Sequence, residues 1–481
     1  MAPKLSGKEL RLTSTPVLTR NRFLLAMLVM VMVEALSSFE HVMMIAAFPM
    51  LGREFGLTSA GWTMTAFLLV QGSTAAIGAR LGDLYGHARM VPLLLALSMM
   101  GSLVSALSDG VGWLIFGRGL QGLSGAILPL AYAITRRIAP ARELPFWIGA
   151  MTGGVTISSA AGFVLGGYIA DLGDWRLLFW FAFGYGLVVL PLFLLVVPRW
   201  KGTPATGRTD WLGALLLPAG LAGILYAIGS AFSAGPFAPG TIVPGGAGIA
   251  LLAWWWRNEW AHPEPLIQVR HLVQRPILIA NMSFAVSGLG IMQFPIVMMQ
   301  YLQQPVATGA GLGLSATTAG LLKLPSNVGS LFAAMLAGWL CGRIGGSRVI
   351  QLAGVLSAMA WLSAIYFRDS GYHLMVVAIA AAAGSTALLA SVPNILLTHS
   401  APDRAGEATG LSMVVLRLFS AVGAQLIALM MALTAQPFGG HNYPTEGGYI
   451  AIFTTVAASG LVIALLGTLL TRAAGPAPRP A

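Results

Sequence analysis

Fourteen apolar runs, each long enough to cross a lipid bilayer, follow one another from about residue 23 to about residue 471. They lie near 23–50, 60–80, 90–108, 111–135, 146–170, 176–198, 210–232, 239–256, 276–302, 316–340, 349–367, 373–397, 407–433 and 447–471. A hydrocarbon core of about 30 Å takes about 20 apolar residues as a helix. Lipid offers no partner to bare backbone groups, so each run must close its own hydrogen bonds as a helix. Composition agrees: 57% of the residues are hydrophobic and 9% charged, where soluble chains carry about 25% charged residues. The expected fold class is an all-α polytopic membrane protein with 14 transmembrane helices.

The connections are at most a few tens of residues, which leaves no room for an ectodomain, an ATPase domain or a regulatory domain. The first run is too long for a secretory leader and is followed by no small-residue cleavage site. A single cysteine, Cys341, excludes an intramolecular disulfide and a multi-cysteine metal site. No cofactor and no metal are expected.

The formal net charge of +11 reports topology rather than nucleic-acid binding. An even number of crossings puts both termini on one side. Among the 27 lysines and arginines, only Arg53, Arg176 and Arg368 fall on the opposite side, and Arg118, Lys323 and Arg417 lie inside spans. The remainder sit on the side of the termini. The positive-inside rule then makes both termini cytoplasmic, where the cations meet anionic headgroups.

The expected division is a tail over 1–22, a six-helix bundle over 23–199, linkers and two inserted helices over 200–274, a second six-helix bundle over 275–472, and a tail over 473–481. A weak repeat supports it. Ala79-Arg80-Leu81-Gly82-Asp83-Leu84-Tyr85-Gly86 follows the second span, and Gly338-Trp339-Leu340-Cys341-Gly342-Arg343-Ile344-Gly345 follows the tenth, with Arg89 and Arg348 downstream. The second helix of each half thus ends alike, in a 6 + 2 + 6 arrangement.

Several motifs in order carry a family resemblance. Asp83 and Gly86, with Leu81 and Arg89, resemble the signature between helices two and three of the major facilitator superfamily. Arg118-Gly119-Leu120-Gln121-Gly122-Leu123-Ser124-Gly125-Ala126 resembles its R-x-x-Q-G-x-G-x-A motif. Gly162-Phe163-Val164-Leu165-Gly166-Gly167 resembles its antiporter motif, with Phe163 where a proline is usual, and Trp175-Arg176 with Phe179 is similar to the W-R-x-x-F that follows. Three stretches resemble the fourteen-helix drug:proton antiporters of that superfamily: Glu40 to Pro49, Pro265 to Arg275, and Tyr301-Leu302-Gln303 followed by Ala319-Gly320-Leu321 and Leu324-Pro325. The helix-2/3 motif departs from the pattern at Ala79, Leu84 and His87, and Glu40 stands where the family has an aspartate.

An ionisable group at mid-membrane costs about 2.5–3.5 kcal/mol on insertion scales, so each one needs a reason. Glu34 and His41 are seven residues apart and share one helix face to within about 20°, with Ser37 and Ser38 nearby, whereas Glu40 is turned away by about 120°. One glutamate is therefore expected to face the central cavity and the other a neighbouring helix. Helix depth favours Glu34 as the proton carrier, and the family position favours Glu40. The resemblance assigns Arg118 to proton coupling, so the coupling set is Glu34, Glu40, Arg118 and His41. Asp83, with Gly86, Arg89 and Arg142, is expected to latch the cytoplasmic side. Gln121, Gln293, Met292, Phe294 and Arg417 are expected around the substrate cavity, with Met43, Met44, Met298, Met299 and Phe48 as further apolar lining. Gly162, Gly166 and Gly167 are expected to let helices pack closely. Lys323, near an outer helix end, is expected to snorkel to the interface.

The chain lacks a G-x-x-x-x-G-K-[ST] loop, so ATP is not expected to drive it. The resemblance implies a proton-coupled exporter of amphipathic organic compounds in the inner (plasma) membrane, working as a monomer with protons and lipids as its other partners. An uptake symporter and a lipid or lipid-precursor translocase on the same fold remain rival readings. No histidine pair or nucleophile–base spacing points to an enzyme.

Overall fold

The computed structural model describes residues 19–140, 142–198, 210–262, 274–399 and 405–473. Most of the expected tails, the linkers and the Asp83 side chain lie outside the described residues, and with that side chain goes the expected latch pairing.

Among the described residues, fourteen long helices follow in chain order: α1 (Arg20–Phe55), α2 (Leu57–Tyr85), α3 (His87–Ala106), α4 (Val111–Ile138), α5 (Leu144–Asp171), α6 (Arg176–Val196), α7 (Trp211–Ala234), α8 (Pro239–Ala261), α9 (Arg275–Gln303), α10 (Ala316–Ile344), α11 (Gly346–Tyr366), α12 (Gly371–His399), α13 (Ala405–Leu433) and α14 (Glu446–Ala473). Among the described residues, eleven helical segments are long and apolar enough to cross a membrane.

Local chemistry sets the helix ends. Proline opens α5, α8 and α9 at the first turn, where its missing N–H costs nothing. Asp210 caps α7 by accepting from the Gly213 N–H at 2.8 Å, and Ser315 caps α10 through the Thr318 N–H. Gly86 and Gly345 are single-residue connectors with φ of 94° and 86°, a left-handed region open to glycine at little steric cost. Each donates its N–H back to a carbonyl four residues earlier. The repeated sequence pattern thus corresponds to a repeated turn.

One element departs from the all-α expectation. Ala435–Phe438 pairs antiparallel with His441–Pro444 between α13 and α14. The two-residue turn Gly439-Gly440 has positive φ at both positions, the geometry that suits a tight hairpin.

Helices α1–α6 pack among themselves, and so do α9–α14 (the first and second units). Helices α7 and α8 pack on each other, with the backbone of Gly220 against that of Gly248, and α7 lies along α2 and α13. Small residues permit such approaches where lipid supplies no hydrophobic drive between helices. The two six-helix units meet along α2–α13, α5–α10 and α1–α9. Several hydrogen bonds between them lie toward the end opposite the chain termini. Thr65 Oγ1 donates to Ala421 O at 3.2 Å, Gln425 Nε2 to Thr58 O at 3.4 Å, Gln303 Nε2 to Ala46 O at 3.0 Å, and the hairpin residue His441 to Arg53 O at 3.2 Å. The molecule is closed at that far end. Toward the chain-terminal end Gly338 and Gly342 of α10 face open space.

The W-R-x-x-F stretch braces the first unit at its far end. Trp175 Nε1 donates to Glu54 Oε2 at 2.6 Å, Arg176 covers the Trp175 ring at 4.3 Å and reaches Ser108 O at 3.0 Å. Phe179 meets Trp175 edge-on. At the opposite end Arg20 grips Glu143 with bonds of 2.7 and 2.8 Å. The Arg20 hydrogen bonds, then that from Trp147, hold the Glu143 carboxyl below the usual range.

Candidate functional site

The two glutamates of α1 point into different surroundings. Glu40 is fully buried inside the first unit. Its carboxylate accepts from Ser98 at 2.8 and 2.7 Å, from Ser102 at 3.1 Å and from Gln121 Nε2 at 3.2 Å. Arg118 lies alongside without bonding the carboxylate. Its Nη1 donates to Glu40 O at 2.8 Å and to Gln121 Oε1 at 2.7 Å, and its Nε donates to Thr63 O at 3.2 Å. Gln121 thereby bridges the guanidinium and the carboxylate. The face of Phe67 carries Arg118 at 4.3 Å and His41 at 5.6 Å.

This cluster depends on glycine. A Cβ at Gly122 or Gly125 would collide with the backbone oxygen of Phe67 or Gln71 on α2. The 3-10 stretch Leu123–Ala126 then sets Ser124 Oγ 3.0 Å from Ser37 Oγ. The R-x-x-Q-G pattern is therefore a packing motif as much as a polar one.

Glu34 is buried but lies toward the second unit, where Arg417 of α13 acts on it electrostatically. Among the described residues no ion pair joins them, and Glu34 Oε2 has no hydrogen-bond partner. Arg417 is exposed although it sits midway along α13, because it borders the space between the units. His41 is half-buried on the same α1 face, within electrostatic reach of Arg417 and Arg118.

Several expected cavity residues are placed elsewhere. Gln121 is enclosed in the Glu40 cluster rather than in the open space. Gln293 is 2% exposed and donates to Gly288 O and Ser420 O, so it braces the 3-10 break Ile291–Gln293 of α9 against α13. Met43, Met44, Met298, Met299 and Phe48 pack in the core, their apolar surfaces satisfied by neighbouring helices. Met292 is half-buried.

Lys323 does not snorkel. It is 3% exposed, donates to Ser326 Oγ at 2.6 Å, and lies over the rings of Phe294 at 4.3 Å and Phe163 at 5.1 Å. One ring belongs to each unit, and the two faces replace water around the ammonium.

The glycines of α5 are contact points. A Cβ at Gly166 would stand 3.0 Å from Met43 Cα and one at Gly162 3.2 Å from Val42 of α1, while one at Gly167 would fall on the Ala316 carbonyl. Beside Gly167 is a residue that sequence reasoning missed. Asp171 accepts from the N–H groups of Ala316 and Thr317, each at 2.8 Å, and from Thr317 Oγ1 at 2.5 Å. It thus supplies two of the orphan donors of α10 with an acceptor from the other unit. Partial burial pushes its carboxyl up, but the Thr317 and Ala316 bonds outweigh that and hold it below the usual range. A lone aspartate at a span end carries no sequence signal for a partner 145 residues away. Gly86 takes its expected turn position, and Arg89 and Arg142 are exposed.

The family model of the Major Facilitator Superfamily matches residues 30–424. A "Multidrug resistance protein B homolog" of Mycobacterium tuberculosis (strain CDC 1551 / Oshkosh) is 29% identical over 319 residues, 65% of this chain and 58% of that protein, so the match spans little more than half of the relative. A "Multidrug resistance protein Stp" of the same strain is 26% identical over 395 residues, 80% of this chain and 72% of that one. A solved peptide transporter, POT, in complex with sulfate superposes with a TM-score of 0.66 at 17% identity, covering 94% of this chain and 95% of that one. That likeness establishes the fold alone.

Proposed function

The chain belongs to the Major Facilitator Superfamily of transporters, and we propose that it exports amphipathic organic compounds across the inner membrane in exchange for protons. Its fourteen helices all cross the bilayer, both termini are cytoplasmic, and the arrangement described above is the inward-facing one. The far end, sealed by α2–α13, α5–α10 and the hairpin, is then the outer end. Names of relatives such as multidrug resistance protein support this reading of the substrates.

The observation that carries the proposal is Glu34, buried on α1 with Oε2 lacking a hydrogen-bond partner, within electrostatic reach of Arg417 on the other unit. Glu34 is the proton carrier. Ionised, it draws on Arg417 and on any cationic part of a substrate. Protonated, it loses both attractions and releases the substrate. Glu40, Gln121 and Arg118 form a fixed polar core behind it that orients α1 against α3 and α4. Alternating access presents Glu34 to each side in turn, and each charge moved through the membrane potential is worth about 2.3 kcal/mol per 100 mV.

The test is proton flux in proteoliposomes containing an internal pH dye, challenged with lipophilic cations, acidic dyes and neutral drugs. Substrate-dependent proton release from acid-loaded vesicles, lost in Glu34→Gln, is the expected result. Proton movement in the same direction as the substrate would replace export with uptake symport. No flux with any compound, from folded and inserted protein, would move the reading to a lipid-precursor translocase.

A further inference from the structure

We propose that Lys323, with Asn327 and the rings of Phe163 and Phe294, is a subsite for the anionic group of an amphipathic substrate, so that the transported compounds include aromatic carboxylates or sulfonates. The proposal rests on reading the space between the two units as the substrate path.

Lys323 carries three donors. One goes to Ser326 Oγ at 2.6 Å, and Ser326 Oγ in turn donates to the Lys323 carbonyl at 2.7 Å, so this bond brings no negative charge. Among the described residues no carboxylate forms an ion pair with Lys323. The ammonium also lies over two ring faces. A buried cation normally has a counter-charge, and among the described residues Lys323 has none while being 3% exposed.

Asn327 adds an independent sign. It lies four residues on, hence on the same face of α10 and one turn closer to the open end. Its Nδ2 is buried without a hydrogen-bond partner. A charged donor and an idle neutral donor, stacked on one face, have donor capacity left over that no acceptor among the described residues takes up beyond Ser326 Oγ. A carboxylate or sulfonate meets both. Phe163 and Phe294 come from different units, so a ligand wedged between them would touch both halves that must move apart. The flat rings suit an aromatic body, whose face or edge can stack on them.

The experiment compares two xanthene dyes on the purified full-length protein in lipid nanodiscs by fluorescence anisotropy. Fluorescein carries a free carboxylate; rhodamine 6G has a similar ring system with the carboxylate esterified and a positive charge. Wild-type protein is expected to bind fluorescein, and Lys323→Met is expected to lower the ratio of fluorescein to rhodamine 6G affinity at least tenfold. Lys323→Arg should keep most of that ratio, and Asn327→Leu should lower it severalfold. Thermal unfolding of each variant establishes that it is folded. Wild-type protein binding fluorescein no more tightly than Lys323→Met would overturn the subsite. An equal loss of both dyes in a folded Lys323→Met protein would do the same. Fluorescein binding that depends on Lys323, in a protein that moves no protons or dyes in proteoliposomes, would leave the subsite standing and refute the export reading instead.

Discussion

Removing the Asp171 carboxylate should loosen the closure at the end opposite the chain termini by an amount that can be worked out. The carboxylate accepts two backbone N–H groups and one hydroxyl at the start of α10. Loss of an N-cap acceptor costs about 0.5–2 kcal/mol, and a negative charge at a helix N-terminus contributes about 0.3–1 kcal/mol. Asp171 is exposed, so water re-bonds part of what is lost and screens the charge. A net change of about 1 kcal/mol for Asp171→Ala is therefore expected, a shift of roughly fivefold in the ratio of outward-open to inward-open protein. Asp171→Asn keeps one acceptor oxygen and should shift the ratio by about twofold. Spin labels at Leu172 and Phe438, both exposed and on opposite units, measure the distance in a background lacking Cys341. The longer-distance population should grow in that order. An unchanged distribution in folded Asp171→Ala protein would refute the capping argument. The pH dependence has a definite sign. The carboxyl is held below its usual range only while the cap is made, so the cap is at full strength above about pH 3.9 and fails as the pH on its side falls through the lower bound-state value. Between pH 5 and 8 the closure should not respond to Asp171.

Other consequences can be measured separately. Glu34→Gln should abolish substrate-driven proton flux while changing thermal stability little; Glu40→Gln should cost about 1–3 kcal/mol of stability by setting an amide among the donors of Ser98 and Ser102, read as a lower unfolding temperature. Equal, full activity in both variants would remove α1 as the proton carrier. Gly167→Ala would place a Cβ on the Ala316 carbonyl, and separating α5 from α10 to relieve it should favour the outward-open state by about 1–3 kcal/mol, on the same spin-label pair. Arg118→Lys keeps the charge but cannot reproduce the bonds from Nε and Nη1. A destabilisation of about 1–3 kcal/mol is expected in thermal unfolding, and wild-type stability would refute the bridging role of Gln121.

How much could be read from residues alone differs from one group to another. The division of Glu34 and Glu40 between two helix faces followed from a 100° step per residue, and the structure places them in two separate surroundings. The matching turns at Gly86 and Gly345 were legible because glycine at φ near 90° leaves a local trace. The reading of Lys323 was in error for a complementary reason. Its position near the outer end of α10 suggested an easy escape to the headgroups, but Phe163 and Phe294 arrive from other helices and enclose it. Gln121 and Gln293 were expected in the cavity because polar side chains in spans suggest ligands. Each is instead consumed by backbone or side-chain partners that only packing brings near.

The apolar runs alone committed this chain to helices, because lipid leaves backbone groups no alternative, and their number and charge bias gave an expected topology. Motif order likewise placed the chain in its family without any contact being known. Which helix faces meet was left to the folded molecule. The Asp171 cap on α10, the hairpin contact to Arg53, the Phe163 cover on Lys323 and the electrostatic reach of Arg417 to Glu34 all join residues more than a hundred positions apart. Such contacts have no period and no local composition. They arise only when glycines such as Gly122, Gly166 and Gly167 let helix backbones touch, and that packing decides which charges end up paired, shielded or left facing the path between the two halves.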